Sequence, residues 1–323
     1  LRRQRQMCIR DSFYTVLFFI KRCRIKFMKI NRKLFPYVLT LPALLVCVGI
    51  LIPFFTAVYY SLQRYNLKMP HMKGFIWFDN YVNIFTDPSF WNTIRVSLTY
   101  TFFTIIIELL LGLGIALLLA KRNWLNNILG VLLVVPLMIA PALASLIWRL
   151  LINPNFGIVN YLLSFIGIDR FTWASHPDTV LFTLIMVDVW VFTPFIMILL
   201  LAGLRSLPRQ PFEAAELDGV PEYYKFFRIT LPMLFPFILT ASLFRLLESI
   251  QQFDIIYALS QGGPGESSMV FQVSAYLQTF QYTNIGKAAA MMVVLWAICY
   301  FLCHVFVQQW HKLKIKTKGE LLQ

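Results

Sequence analysis

The stretch Glu213-Ala214-Ala215-Glu216-Leu217-Asp218-Gly219-Val220-Pro221 is a polar, charged island between two strongly apolar runs of the chain. Gly219 accepts the left-handed backbone conformation that ends helices, and Pro221 can open a following helix. The island therefore predicts two short helices joined by a Gly-Val-Pro turn. A connection between two apolar segments does not need that much structure, so the island indicates a docking element for a soluble partner.

The apolar residues on either side of the island come in long runs rather than in stripes. Hydrophobic residues are 59% of the chain, charged residues are 14%, and the mean hydropathy is +0.67. A helix needs about 20 apolar residues to cross the hydrocarbon layer, and the alternation of an outer-membrane strand is absent. The sequence predicts an all-α, polytopic membrane protein with six transmembrane helices, at Phe35–Leu62, Val96–Ala120, Ile128–Leu151, Val180–Leu204, Leu234–Tyr257 and Gly286–Val307.

The net charge of +14 would indicate nucleic acid in a soluble protein. From Met28 onward, however, a cytoplasmic N-terminus places most of the loop lysines and arginines on the cytoplasmic side. This bias follows the positive-inside rule and predicts that both termini are cytoplasmic. We therefore assign the basic excess to topology and lipid contact rather than to nucleic acid.

The first 27 residues fit a transmembrane domain poorly. Their one apolar run, Phe13–Ile20, is too short to span a bilayer, and no small-residue cleavage site follows it. They form either a cytoplasmic extension or an interfacial segment, or the native chain starts at Met28, which is the interpretation we favour. We therefore predict two regions: a basic N-terminal extension of doubtful origin over 1–27, and a six-helix permease domain over 28–323 with a cytoplasmic loop at about 205–232.

Motifs of self-contained catalysis are missing from the sequence. It has no Walker lysine loop, no nucleophile elbow and no HExxH motif. Its five cysteines and four histidines are not arranged at metal-ligand spacing. We predict that the chain is not an enzyme and binds no metal.

Prolines and glycines recur where the spans would bend or pack closely. Pro136 and Pro141 lie in the third span, and Gly112 and Gly114 in the second would allow close approach of a neighbouring helix. Between the first two spans, the aromatic residues of loop Gln63–Arg95 are typical either of an interfacial belt or of a surface for an external partner.

The island also carries local start and stop signals. Ser206 is a plausible N-cap for its first helix, with Pro208 near the first helical position. Leu231-Pro232 is expected to break the second helix before the fifth span begins.

Residues 213–232 resemble the EAA loop of the membrane-spanning subunits of ABC importers. The match runs through Glu213-Ala214-Ala215, Gly219, Ile229 and Leu231-Pro232 at the spacing of that loop. The resemblance implies that the loop, with a coupling helix at roughly Pro208–Leu217, receives the motion of separate ATPase subunits. The coupling residues that it implies are Glu213, Ala214, Ala215, Asp218, Gly219, Ile229, Leu231 and Pro232.

Further segments resemble the binding-protein-dependent sugar permeases of the maltose, glycerol-3-phosphate and multiple-sugar type. They include Phe253-Asp254-Ile255-Ile256-Tyr257, then Gly262-Gly263-Pro264, and Trp77-Phe78-Asp79-Asn80-Tyr81. The resemblance covers Met28 to the C-terminus and implies an ABC type I importer permease fold in the bacterial cytoplasmic (inner) membrane. It also implies a heterodimer with a second permease, two ATPase subunits that bind ATP and magnesium, and an extracytoplasmic solute-binding protein. This chain would bind no cofactor of its own.

Two sets of residues are candidates for the transport path. Amides and carboxylates suit sugar hydroxyls and aromatic rings suit sugar faces, which points to Gln251, Gln252, Phe253, Asp254 and Tyr257. Ionisable residues within spans are the second set, because their placement in hydrocarbon is costly; they are Glu108, Asp188, Arg245 and Glu248. Arg245 could pair with Glu248 at i,i+3, or with Glu108 or Asp188 across helices, so these residues are either packing contacts or part of the path.

Two other classes of protein compete with this interpretation. An ion-coupled secondary transporter would often show repeated halves of the chain, and no convincing repeat is present. A membrane-bound enzyme would need a cluster of reactive groups near one interface. The sugar itself stays open among disaccharides, oligosaccharides and glycerol-3-phosphate.

Overall fold

The computed structural model describes residues 35–121, 123–168 and 171–320, and the basic segment 1–27 lies outside them. The chain forms two compact units, residues 1–56 and 57–323. Helix α1 (Phe35–Ser61) contains all the described residues of the first unit, and its last residues, from Ala57 onward, belong to the second. Because residues 1–27 are not described, the predicted boundary at residue 28 stays a prediction.

Long helices dominate the second unit, as the apolar runs predict. They are α3 (Pro88–Leu118), α7 (Pro177–Ser206), α10 (Leu231–Ile250) and α13 (Ile285–Glu320). Shorter helices connect them: α2 (Asp79–Thr86), α4 (Trp124–Val134), α5 (Pro141–Leu151), α6 (Ile158–Ser164), α8 (Gln210–Leu217), α9 (Glu222–Lys225), α11 (Asp254–Leu259) and α12 (Phe271–Phe280).

Among the described residues, five helices are long and apolar enough to cross a membrane, and a sixth span is present only if a bent pair is counted as one. That pair corrects the predicted third span, Ile128–Leu151. It runs as Trp124–Met138 and Pro141–Leu151 with a bend of 94° between the two parts. Pro136 ends the first part in a 3₁₀ turn and Pro141 opens the second, because proline lacks the N–H that would continue a helix.

The predicted fifth span, Leu234–Tyr257, is also displaced. The apolar helical run extends from Glu222 to Ile250, and the chain then breaks before α11.

Helix α7 is the centre of the second unit. Its apolar window is 67% buried, against 28% for α3 and 22% for α13. The close approach that Gly112 was expected to allow is present, because a Cβ at Gly112 would lie 2.6 Å from Cγ2 of Ile196 on α7. Gly114 has no such neighbour within 4 Å, so the same expectation is wrong for Gly114.

The loop between α1 and α3 is more ordered than its aromatic composition suggested. A two-residue hairpin pairs β1 (Gln63–Arg64) with β2 (Gly74–Phe75), and α2 follows it. The hairpin loop bonds to the start of α13, where Gly286 donates its N–H to the Tyr65 carbonyl at 3.0 Å.

The start of α3 is tied to the same end of the unit by an ion pair. Asp87 is the N-cap of α3 and accepts from the Ser89 N–H at 3.0 Å. Its Oδ2 also accepts from Lys287 Nζ at 3.0 Å. The hydrogen bond from Lys287 lowers the pKa of Asp87 despite partial burial.

A candidate coupling loop and transport path

The first helix of the loop that follows α7 begins later in the chain than Ser206 and Pro208 suggested. Ser206 is the last residue of α7, and its hydroxyl donates to the Gly203 carbonyl at 2.7 Å. Helix α8 begins at Gln210, with Pro211 in its first turn and Arg209 as N-cap. The predicted Ser206 N-cap and the start near Pro208 are therefore wrong, because the apolar run of α7 continues through Leu204 and carries the helix past them.

Helix α8 ends just before Gly219, in the way its sequence predicts. Gly219 has φ +66°, its N–H bonds to the Glu216 carbonyl at 3.1 Å, and the Val220 N–H bonds to the Ala215 carbonyl at 3.0 Å. This pair of bonds is the Schellman motif, which satisfies the last carbonyls of a helix when the following residue is left-handed.

One face of α8 is turned inward and the other is free. Ala215 is buried, whereas Glu213, Ala214 and Glu216 are exposed. Leu217, the last residue of the helix, is 90% exposed. Leu217 therefore adds an apolar side chain to the exposed carboxylates of this face, and it was not among the predicted residues.

The second part of the loop joins the fifth span without a break. Pro221 caps α9, and a π-helical turn (Phe226–Thr230) leads into α10, in which Pro232 lies in the first turn. The Leu231 N–H reaches the Phe226 carbonyl five residues back. The expected break at Leu231-Pro232 is therefore wrong: the wider turn accommodates the missing N–H of Pro232 within a continuous helix. Ile229 and Leu231 are half-buried within this junction.

Arg205 links the loop to a second span, and Lys225 forms an ion pair within the loop. Arg205 Nη2 donates to the Leu119 carbonyl at 3.1 Å, which joins the end of α7 to the end of α3. Lys225 is buried and pairs with Glu222 at 2.7 Å. Besides the two spans that it connects, the loop is thus bonded to the end of α3.

A buried ionic cluster lies between α3, α7 and α10. Arg245 donates to Glu108 through Nε at 2.6 Å and Nη2 at 2.8 Å, and Nη2 also donates to Asp188 Oδ2 at 2.8 Å. Nη1 donates to Glu248 Oε2 at 3.1 Å. Both pairings left open by the sequence are therefore formed at once. The guanidinium carbon also lies 4.1 Å from the ring centroid of Phe192.

The candidate sugar residues divide into an inward and an outward set. Gln252 is buried and donates to Asp188 Oδ1 at 3.3 Å, so it extends the ionic cluster. Gln251 and Asp254 are exposed. Phe253 and Tyr257 stack with ring centroids 5.0 Å apart, and Tyr276 of α12 lies 4.9 Å from each.

Some partners in this region could not be found from the sequence. Tyr276 and Phe192 join it through packing between elements distant in the chain, and no local pattern marks them. Within 35–121, 123–168 and 171–320, no group of three or more His, Cys, Asp or Glu is arranged to hold a metal ion.

Comparison with known proteins identifies the family of the chain. Residues 108–313, which include the ionic cluster and the loop, match the family described as "Binding-protein-dependent transport system inner membrane component". The chain belongs to this family. As a member it is a transport permease rather than a catalytic enzyme, and a multi-pass protein of the inner membrane.

Relatives and a solved structure agree with this placement. The chain is 34% identical over 251 residues to the trehalose/maltose transport system permease protein MalF of Thermococcus litoralis, covering 77% of this chain and 83% of the relative. It is 30% identical over 284 residues to the sulfoquinovosyl glycerol transport system permease protein SmoG of Agrobacterium fabrum, covering 88% and 92%. A chain of a bacterial ABC transporter involved in the import of the acidic polysaccharide alginate matches with a TM-score of 0.76 at 21% identity, covering 88% and 98%.

These matches confirm the predicted fold and the predicted family of binding-protein-dependent carbohydrate importers. They favour the importer over an ion-coupled secondary transporter, which would not belong to this family. The roles of individual residues are not tested by them and stay predictions.

Proposed function

We propose that this permease forms half of a carbohydrate path and is driven through the loop 205–232 by separate ATPase subunits. A second permease completes the path, a solute-binding protein delivers the sugar on the outside, and ATP and magnesium bind to the ATPases. In this arrangement the loop and both termini lie in the cytoplasm, as the charge bias of the loops suggests.

The observation that carries the proposal is that one loop has an exposed helix face and is also firmly attached to the membrane-spanning helices. Helix α8 exposes Glu213 and Leu217, while Ala215 is buried against the rest of the unit. Through Arg205 and the continuous Glu222–Ile250 run, the loop is attached to α3 and α10. A push on the exposed face would therefore move whole helices, and rigid-body rotation of packed helices is a common form of transport switch.

The path would open beside the ionic cluster. Glu108, Asp188 and Arg245 hold three spans together, and the exposed Gln251 and Asp254 continue a polar surface from it. Amides, carboxylates and nearby aromatic rings are the groups that bind sugars. Solute-binding protein and ATP would each favour the same outward-open state, and linkage makes their effects on one another reciprocal.

Co-expression with the ATPase subunits tests the coupling role. We expect the purified permease alone to show no ATPase activity and the ATPase to co-purify with the wild-type permease pair. Glu213→Ala should reduce the retained ATPase, whereas Asp178→Ala, at the opposite end of α7, should not. Equal retention by both variants, together with unchanged transport, would remove Glu213 from the interface.

A further inference from the structure

The donors of Arg245 are almost completely used inside the protein. Its side chain is 1% exposed, and its N–H groups form four hydrogen bonds, to Glu108, Asp188 and Glu248. One N–H of Nη1 is left, and the flat face of the guanidinium is covered by Phe192. Arg245 therefore cannot readily receive a carboxylate, sulfonate or phosphate from the path.

The part of the ionic cluster that is accessible to solvent or solute is negatively charged. One guanidinium is matched by three carboxylates, and of these only Glu248 is open, with its side chain 50% exposed. In the described part of the chain, Glu248 accepts a hydrogen bond through Oε2 alone, which leaves Oε1 free.

In the proposed path, Glu248 would present this free oxygen to the solute. Glu248 lies in the apolar run Glu222–Ile250, and a half-exposed carboxylate in a span faces a water-filled cavity or a partner subunit rather than lipid. Gln251 and Asp254 follow at three-residue intervals and are also exposed. The accessible surface thus presents two carboxylates and an amide.

The nearby rings suit an uncharged sugar as well. Phe253, Tyr257 and Tyr276 form a partly buried aromatic group beside Asp254, with centroids 4.9 to 5.0 Å apart. Aromatic rings pack against the apolar faces of sugar rings, and carboxylates accept from their hydroxyls. Both contacts favour hydroxyl-rich ligands, and the carboxylates repel ligands with a negative charge.

We infer that the path of this permease accepts neutral carbohydrates and rejects sugar acids and sugar phosphates, with Glu248 and Asp254 as the residues that discriminate. The inference rests on the proposed function. It excludes glycerol-3-phosphate from the substrates that the sequence left open.

The test uses the intact complex of both permeases and both ATPases in nanodiscs, without the solute-binding protein, so that the selectivity of the binding protein does not enter. Saturation-transfer-difference NMR would measure the binding of matched neutral and anionic probes: trehalose and trehalose 6-phosphate, methyl glucoside and methyl glucuronide, glycerol and glycerol-3-phosphate. We expect the anionic member of each bound pair to bind at least about tenfold more weakly, because like charges across an interface repel.

Two variants test whether Glu248 and Asp254 are responsible for the difference in binding between neutral and anionic probes. Glu248→Gln and Asp254→Asn should each narrow the difference between neutral and anionic probes by about threefold or more, and Asp254→Asn breaks no hydrogen bond of the described chain. Asp178→Asn, which removes one exposed charge whose ion-pair partner is His176, should leave the difference unchanged. Anionic probes that bind the wild-type complex as tightly as neutral ones would overturn the inference while leaving the importer intact. Failure of every probe to bind would instead overturn the proposed path.

Discussion

Arg245 of α10 and Glu108 of α3 form a two-point ion pair in the protein interior, with Nε and Nη2 at 2.6 and 2.8 Å from the two carboxylate oxygens. Asp188 of α7 accepts from the same Nη2, so a single guanidinium joins three spans. Buried charges of this kind are costly to desolvate, and their attraction compensates only when the geometry is complete. The cluster therefore holds α3, α7 and α10 together.

Removal of Arg245 should destabilise the permease strongly. Breaking a buried pair leaves an uncompensated charge and typically costs about 3–5 kcal/mol. We expect Arg245→Ala to lower the thermal unfolding temperature of the detergent-purified permease pair by far more than the exposed Arg228→Ala does. In the triple variant with Arg245, Glu108 and Asp188 all replaced by leucine, much of the loss should be recovered, because no fully buried charge of the cluster is then left unpaired. Equal unfolding temperatures for Arg245→Ala and wild type would contradict the structural role.

Two glycines of α3 allow a controlled test of how closely α3 packs against α7. A Cβ at Gly112 would press on Ile196, whereas Gly114 has no neighbour within 4 Å. Overpacking of a closed contact costs about 1–3 kcal/mol, so Gly112→Ala should lower the unfolding temperature. Gly114→Ala should leave it unchanged or raise it slightly, because alanine favours helix more than glycine does. The assignment of this contact fails if the two variants behave alike.

The Asp87–Lys287 pair predicts a dependence of stability on pH. The pKa of Asp87 is lowered in the folded protein by the Lys287 hydrogen bond, so the pair stabilises the fold above the ordinary aspartate pKa of about 3.9. That contribution is lost as the pH falls through the lower folded pKa. Asparagine keeps the N-cap but not the charge. Asp87→Asn should therefore unfold at a lower temperature than wild type at pH 7, and the gap should narrow as the pH falls below the ordinary aspartate pKa. A gap that widens on acidification would refute the direction of the shift.

The left-handed residue at the end of α8 should matter for coupling. Gly219 and Gly265 both have positive φ and open space at the Cβ position, so alanine strains either backbone alike. Gly265 lies in the loop before α12, away from the island. We expect Gly219→Ala, but not Gly265→Ala, to weaken retention of the ATPase subunits during purification. If both substitutions lowered retention to the same degree, general destabilisation rather than the shape of the loop would be the cause.

Features that depend on short-range chemistry were predictable from the sequence. The apolar runs located the long helices, and Gly219 correctly predicted the end of α8, because only nearby residues decide a Schellman turn. Ser206 failed as an N-cap since its local signal competed with an apolar helix that had not yet ended. The bend between Met138 and Pro141 could be suspected from its prolines, but composition alone does not give its angle.

Contacts between distant segments were beyond sequence reasoning. Arg245 and Glu108 are separated by 137 residues, and Arg205 reaches a carbonyl 86 residues away. Gln252, chosen as a sugar ligand, is turned into the protein toward Asp188 because the chain breaks between α10 and α11. Two-residue strands such as β1 and β2 are too short to leave a pattern.

Uptake by proteoliposomes tests the central claim most directly. The permease pair would be reconstituted with and without its ATPase subunits. The solute-binding protein and radiolabelled trehalose or maltose would be on the side of the membrane opposite α8, and MgATP on the side that carries α8. The account predicts accumulation only when both the ATPases and MgATP are present, and none with a non-hydrolysable nucleotide. Concentrative uptake by the permease pair alone, driven by an ion gradient, would contradict it.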